Sequence, residues 1–266
     1  VPFLRVNDAT VFYDLTGPTG APIVAFGNSL GTSVHVWDAV CSEVSAAFRV
    51  LRFDMRGHGL TDLGPQPSMR DLAGDAVALF DALAIERVTF VGLSIGGMIG
   101  QQLAIDHPSR VAALVLCATA ARIGTPATWN ERIAAVEASG TAGIATGVLA
   151  RWFTPATHAA RPELIAGFAN MLARTPATGY AGACAAIRDA DLTTAGAAIT
   201  APTLVISGSE DVVTPPTDGR AIATVIPGAR ATTIDGAAHI VPAERPAEFL
   251  DLLLPFLRDP LARAAA

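Results

Sequence analysis

Phe90-Val91-Gly92-Leu93-Ser94-Ile95-Gly96-Gly97-Met98 is an apolar run closed by a serine set between glycines. Just upstream, residues 88–91 are β-branched and aromatic, the composition of a buried strand. Downstream, residues 95–105 carry apolar side chains at helical spacing. Ser94 therefore falls on a strand-to-helix turn. Gly92-Leu93-Ser94-Ile95-Gly96 matches G-x-S-x-G, in which a sharp, strained turn holds the hydroxyl above the end of a sheet and small flanking residues let the backbones pass. The helix N-terminus beneath the serine favours negative charge developing there. A glycine-rich turn with a capping serine would use the same pentapeptide, so the rest of the chain decides between the two readings.

Working outward, strand-like and helix-like segments alternate. Residues 11–15, 23–26, 49–53, 88–91, 111–117, 203–207 and 231–234 read as strands, with 11–15 and 23–26 expected as an opening hairpin or meander. Helices are expected over 69–83, from Ile95 to His107, over 218–225 and over 243–257; Ser68 caps the first of these, with Asp71 in a weak capping box. Such alternation predicts an α/β fold with a mostly parallel central sheet flanked by helices. Between 119 and 198 the strand signal disappears, and 129–139, 143–153, 163–173 and 180–189 read as helices broken by Gly, Pro and Thr. The expected organisation is a core of residues 1–118 and 199–266 with an inserted helical cap, 119–198, over the carboxyl ends of the strands, where ligands bind in open α/β sheets. Residues 258–266 read as a frayed tail.

Composition narrows the chemistry. The chain is 51% hydrophobic and only 16% charged, below the roughly 25% charged of an average soluble domain, which implies a large core. Its longest nearly unbroken apolar stretch, 111–118, is far short of the roughly 18 to 20 residues that span a bilayer, so no membrane helix or membrane partner is expected. The first residues show no charged region followed by an apolar segment and a cleavage site, which suggests a cytoplasmic or already processed protein. A net charge of -6 argues against a nucleic-acid partner. Every basic residue is arginine, which excludes a lysine Schiff base, a Ser-Lys dyad and a Walker-type phosphate loop. Cys41, Cys117 and Cys184 form no metal-ligand pattern and read as reduced, structural thiols; no metal or cofactor is implied. The oligomeric state is left open, a homo-oligomer included.

A serine hydroxyl needs a base, and a histidine base needs a third group to fix its tautomer. Asp211 lies in a turn just beyond the strand 203–207, and His239 follows the strand 231–234, so both return to the Ser94 edge of the sheet. The order Ser, Asp, His is that of α/β-hydrolases. His35, near the expected pocket, and His158, in the insertion, compete for the role of base; His58 reads as a turn brace and His107 as a helix end. Glu210, Asp54 and Asp235 compete with Asp211. Oxyanion donors are expected from the backbone N–H of Ile95, directly after the nucleophile, and from Leu30 in the loop Gly27-Asn28-Ser29-Leu30-Gly31.

With these residues in view, the chain resembles the 3-oxoadipate enol-lactonases of the α/β-hydrolase superfamily. The likeness rests on Asn28-Ser29-Leu30-Gly31-Thr32 with Trp37, on Arg52-Phe53-Asp54-Met55-Arg56-Gly57-His58-Gly59, and on Gly92-Leu93-Ser94-Ile95-Gly96-Gly97. In the insertion it rests on residues 118–125, Trp129, Asn130 and Arg132, Arg151-Trp152-Phe153, and Gly179-Tyr180 leading to residues 186–192. The resemblance implies cofactor-free hydrolysis of a small, carboxylate-bearing enol-lactone in aromatic catabolism. The chain departs from the family after His239, where Ile240-Val241-Pro242-Ala243 replaces a usual serine and asparagine. Two other readings therefore stay open, a broad carboxylesterase with a perhydrolase side activity and a non-catalytic ligand-binding receptor. An anionic substrate needs a cation in the pocket, and Arg122 and Arg132, near Trp129, are the expected anchors. Trp129, Trp152 and Phe153 either line that pocket or pack the insertion on the core.

Overall fold

The computed structural model describes residues 2–259. Among the described residues eight strands form a single sheet: β1 (Phe3–Val6), β2 (Ala9–Thr16), β3 (Ile23–Gly27), β4 (Arg49–Phe53), β5 (Val88–Leu93), β6 (Val111–Cys117), β7 (Thr203–Gly208) and β8 (Arg230–Ile234), in the spatial order β1-β2-β4-β3-β5-β6-β7-β8. From β4 to β8 every neighbouring pair is parallel. The inner strands are apolar on both faces, as a sheet covered by helices on both sides requires; β6 is buried at every residue. The expected hairpin between 11–15 and 23–26 does not form. β2 instead pairs antiparallel with β1 and with β4, Tyr13 opposite Phe53. The reason is burial: Val24, Ala25 and Phe26 are wholly apolar and suit a central strand, whereas the half-polar β2 suits a place nearer the edge.

After β3 the chain moves outward to β4 and then crosses back to β5 on the other side of β3. This reversal makes the β3/β5 boundary the switch point of the sheet, the place where ligand crevices open at the strand ends. There Gly27 pairs with Gly92, so the loop after β3 lies beside Ser94.

The core helices are α1 (Asp38–Ser45), α2 (Met69–Ala82), α3 (Ile95–Asp106), α8 (Pro216–Val225), α9 (Val241–Glu244) and α10 (Pro246–Arg258). Ser68 and Asp71 close the capping box on α2. The single helix expected over 243–257 is two, divided at Arg245 (φ -131°), because a residue before proline avoids the helical region. All three cysteines are free and buried.

Between β6 and β7 the chain is helical: α4 (Pro126–Trp152), α5 (Pro155–Ala160), α6 (Pro162–Ala173) and α7 (Ala177–Asp189), with α4 packed on α6 and α7. By length and composition α4 is long and apolar enough to cross a membrane, which the run at 111–118 did not suggest. Gly140, at φ 69° and ψ 174°, divides it into 126–139 and 141–152, each below the roughly 17 residues a span needs. The tail expected over 258–266 lies, from residue 260 onward, outside the described residues.

Candidate active site

Ser94 sits between β5 and α3 at φ 57° and ψ -117°, a conformation that costs a non-glycine residue about 1–3 kcal/mol. Backbone hydrogen bonds hold it there: its N–H donates to the Cys117 carbonyl at 2.9 Å, and its carbonyl accepts from the Thr119 hydroxyl at 2.7 Å and from the Gly97 and Met98 N–H groups at 2.8 and 3.2 Å. The flanking glycines are required by contact. A Cβ on Gly92 would lie 2.2 Å from the Gly96 carbonyl oxygen, and one on Gly96 would lie 2.2 Å from that of Gly27.

Asp211 and His239 arrive on the loops after β7 and β8. His239 Nε2 is 2.9 Å from Ser94 Oγ, and its Nδ1 is 2.9 Å from Asp211 Oδ2. A carboxylate only accepts, so Nδ1 carries the hydrogen and Nε2 is left to accept from the serine. The Asp211 side chain is 0% exposed and that of His239 is 2% exposed, so water does not compete for the bond between Nδ1 and Oδ2. Burial acts to raise the Asp211 pKa, but the opposing influence of His239 and the hydrogen bonds from Thr214 outweigh it and hold the carboxyl below its ordinary value.

Thr214 is a site residue that the sequence reading left unassigned. Its hydroxyl donates to Asp211 Oδ2 at 2.8 Å, and the Val213 and Thr214 N–H groups donate to Oδ1 at 2.8 and 3.1 Å. A hydroxyl three residues after an aspartate is the signal that could have found it.

Ile95 is the first residue of α3, so its N–H has no helical acceptor. Leu30 lines the cavity beside Ser94, in a loop anchored by Asn28, which accepts from Trp37 Nε1 at 3.0 Å and donates to the Phe53 carbonyl at 2.9 Å. Ser94, His239 and Leu30 open onto a cavity of about 290 Å³ with Trp129, Arg132 and Trp152 on its wall. Arg151 and Tyr180 line it as well. Arg132 Nη1 donates to the Tyr180 hydroxyl at 3.4 Å and Arg151 Nε to the Gly147 carbonyl at 3.1 Å. Among the described residues neither guanidinium pairs with a carboxylate, which leaves two positive charges facing a mostly apolar space.

Two expected pocket residues lie elsewhere. Arg122 pairs with Asp191 at 3.2 Å, both about half exposed, on the wall of a separate cavity beside Gln101 and Ile222. A hydrogen bond from Leu192 N–H to the Ala121 carbonyl fixes the chain so that Arg122 faces that side. Phe153 is 1% exposed and packs edge-on against Phe168, 5.0 Å between centroids. The helix ends there in extended backbone (φ -130°, ψ 148°), so Trp152 faces the cavity and Phe153 packs into the insertion.

Of the competing residues, Glu210 is exposed on the loop after β7, and the others below face partners outside the site. His35 pairs with Asp38 at 2.8 Å on the exterior, and His158 faces the Leu149 carbonyl at 3.1 Å. Burial pulls the pKa of His58 down to about 4, against a weaker raising effect of its 3.3 Å contact with the Arg56 carbonyl. Asp54 accepts from Val34 and Leu60 N–H groups, and Asp235 accepts from Ser209.

Residues 22–246 match the family model described as the alpha/beta hydrolase fold. The chain belongs to the α/β-hydrolase family. The hydrolase is 35% identical to 3-oxoadipate enol-lactonase 1 of Acinetobacter baylyi over 94% of each chain. Among solved structures it is similar to the enol-lactonase from Burkholderia xenovorans LB400, at 38% identity and a TM-score of 0.95 over 97% of this chain and 100% of that one. A hydrolase from Pseudomonas aeruginosa PA01 matches at 42% identity and a TM-score of 0.93, over 97% of this chain and 98% of that one.

Proposed function

We propose that this hydrolase opens a small lactone or ester bearing a carboxylate, most like 3-oxoadipate enol-lactone in aromatic catabolism in the cytoplasm. The observation that carries the reading is the unbroken path from Ser94 Oγ through His239 to Asp211, each link 2.9 Å, opening onto a cavity that holds Arg132 and Arg151. Relatives named enol-lactonases over nearly the whole chain support the lactone.

Ser94 Oγ attacks the carbonyl carbon while His239 Nε2 takes its proton, and Asp211 steadies the imidazolium. The N–H groups of Leu30 and Ile95 receive the oxyanion; loss of one such donor costs on the order of 10² to 10³ in rate. Collapse breaks the ring C–O bond, and His239 returns its proton to the departing oxygen, leaving an acyl-enzyme. A water, deprotonated by the same nitrogen, then attacks the ester carbon; the bond from that carbon to Ser94 Oγ breaks, His239 returns the proton to Oγ, and the acid leaves. No step needs a metal or cofactor. Arg132 holds the carboxylate of the substrate between Trp129 and Trp152, and residues 119–198 act as the cap over the core of 1–118 and 199–266.

The test is Ser94→Ala, measured on the enol-lactone. A loss approaching the roughly 10⁶ of triad knockouts is expected, and near-wild-type turnover of a folded variant would refute the reading. The apolar wall formed by Val148, Ile187 and Val213 also suits a neutral short-chain ester. A higher kcat/KM for such esters than for the lactone would favour a broad carboxylesterase.

A further inference from the structure

Glu244 lies in α9 and is 2% exposed; Arg161 and Arg245 reach its backbone carbonyl, at 3.4 and 3.3 Å, and its carboxylate forms no ion pair among the described residues. Four protein hydrogen bonds take the place of water instead, and they come from two separate parts of the chain. Oε2 accepts the N–H of Ala238, the residue before His239, at 2.7 Å. Oε1 accepts the Thr154 N–H at 2.8 Å, the Thr154 hydroxyl at 2.7 Å and the Thr157 hydroxyl at 2.5 Å. Those threonines follow Trp152, which forms part of the cavity wall.

The residue after His239 closes the same junction from its other side. Ile240 N–H donates to the Trp152 carbonyl at 3.0 Å, and Arg161 Nη1 adds a bond to the Ala243 carbonyl at 2.9 Å. The backbone on both flanks of His239 is thus tied to the segment 152–157, once directly and once through a buried carboxylate. A buried ionised group is retained only where hydrogen bonds replace its lost hydration, and hydrogen bonds to a charged acceptor are about twice as strong as neutral ones.

We propose that Glu244 is a positioning residue: it ties the His239 backbone to the wall segment 152–157, so that the base and the Trp152 wall move as one unit. The inference rests on the reading of His239 as the base. Its consequence is that the helical insertion cannot lift at the 152–157 junction without displacing the imidazole from Ser94. A glutamine at 244 would break the bridge on one side, because its NH₂ must face either Ala238 N–H or the threonine donors.

The experiment compares Glu244→Gln and Thr157→Ala with wild type, well below their thermal midpoints. The readouts are kcat and KM on a short-chain ester and the rate at which a small fluorophosphonate labels Ser94. For Glu244→Gln the expected result is a 10- to 100-fold fall in kcat with KM changed less than threefold, and a parallel fall in labelling. For Thr157→Ala, which removes one of the four donors, a two- to tenfold fall is expected. A purely structural role would lower the thermal midpoint and leave both rates of the folded fraction unchanged. That result for Glu244→Gln, or for Thr157→Ala if the glutamine variant does not fold, overturns the proposal. His239→Ala separates the two readings: if it loses activity while the Glu244 and Thr157 variants stay normal, only the positioning role fails, and if it remains active the assignment of the base fails with it.

Discussion

Replacing Asp211 with asparagine removes a charge without changing the shape of the site, and hydrogen bonding dictates which way the amide must face. Oδ1 accepts two backbone N–H groups, from Val213 and Thr214, so the amide oxygen has to take that place. The NH₂ group then occupies the position of Oδ2, 2.9 Å from His239 Nδ1. Nδ1 must become an acceptor, the ring hydrogen moves to Nε2, and Nε2 now points a hydrogen at Ser94 Oγ. In that tautomer the imidazole cannot take the serine proton. The same substitution in a serine protease triad lowers kcat about 10⁴-fold, and a similar loss, ~5.4 kcal/mol at ~1.36 kcal/mol per tenfold, is expected for Asp211→Asn. The assay is steady-state turnover of the enol-lactone and of a chromogenic short-chain ester, with folding checked by circular dichroism. A folded Asp211→Asn enzyme retaining more than about a tenth of wild-type kcat would refute the tautomer argument, since a loss near 10⁴ is what that argument demands.

Three further outcomes are expected. Arg132→Met should raise KM for a carboxylate-bearing lactone by roughly 10- to 100-fold, the worth of a charged hydrogen bond of about 1.5–3 kcal/mol, with little change for a neutral ester; equal effects on both substrates would remove Arg132 as the anion anchor. His58 has a folded-state pKa of about 4 against an ordinary value of 6.5, so the unfolded chain binds more protons between those values. Stability is therefore full above the ordinary value and lost as pH falls toward the folded one, by about 3 kcal/mol at ~1.36 kcal/mol per unit. Urea melts at several pH values should show that slope flattened in His58→Gln, and an unchanged slope would place the acid sensitivity elsewhere. Gly96→Ala drives a methyl against the Gly27 carbonyl and should cost at least about 2 kcal/mol along with most activity; a stable, active variant would show that the turn at Ser94 tolerates more room than its geometry allows.

The alternation of strand and helix and the strained turn at Ser94 were legible in the sequence because each follows from local rules, and the order Ser94, Asp211, His239 was legible because that alternation places all three just beyond the ends of strands. Apolar periodicity marks the elements, and a serine between glycines marks a turn where backbones come within contact distance. The capping box at Ser68 is equally local. Arginine placement was not legible. Arg122 and Arg132 share composition and neighbourhood, yet a backbone bond from Leu192 turns the first toward a second cavity and the helical face of α4 turns the other toward Ser94. Trp152 and Phe153 are adjacent, and only the change from helical to extended backbone between them decides which one lines the cavity.

The amino-acid order alone determined the kind of fold, because strand and helix periodicity and turn chemistry are set by residues close in sequence, and it offered Ser94, Asp211 and His239 at the ends of strands that this kind of fold returns to one edge of the sheet. The tertiary structure decided which strands are neighbours, which guanidinium groups face the cavity, and how Glu244 braces the His239 loop against residues 154–157. Each of these depends on the meeting of segments remote in the chain, as when Glu244 joins Ala238 to Thr154 and Thr157. No local propensity encodes such a meeting; it is set by how the whole sheet and its helical insertion pack.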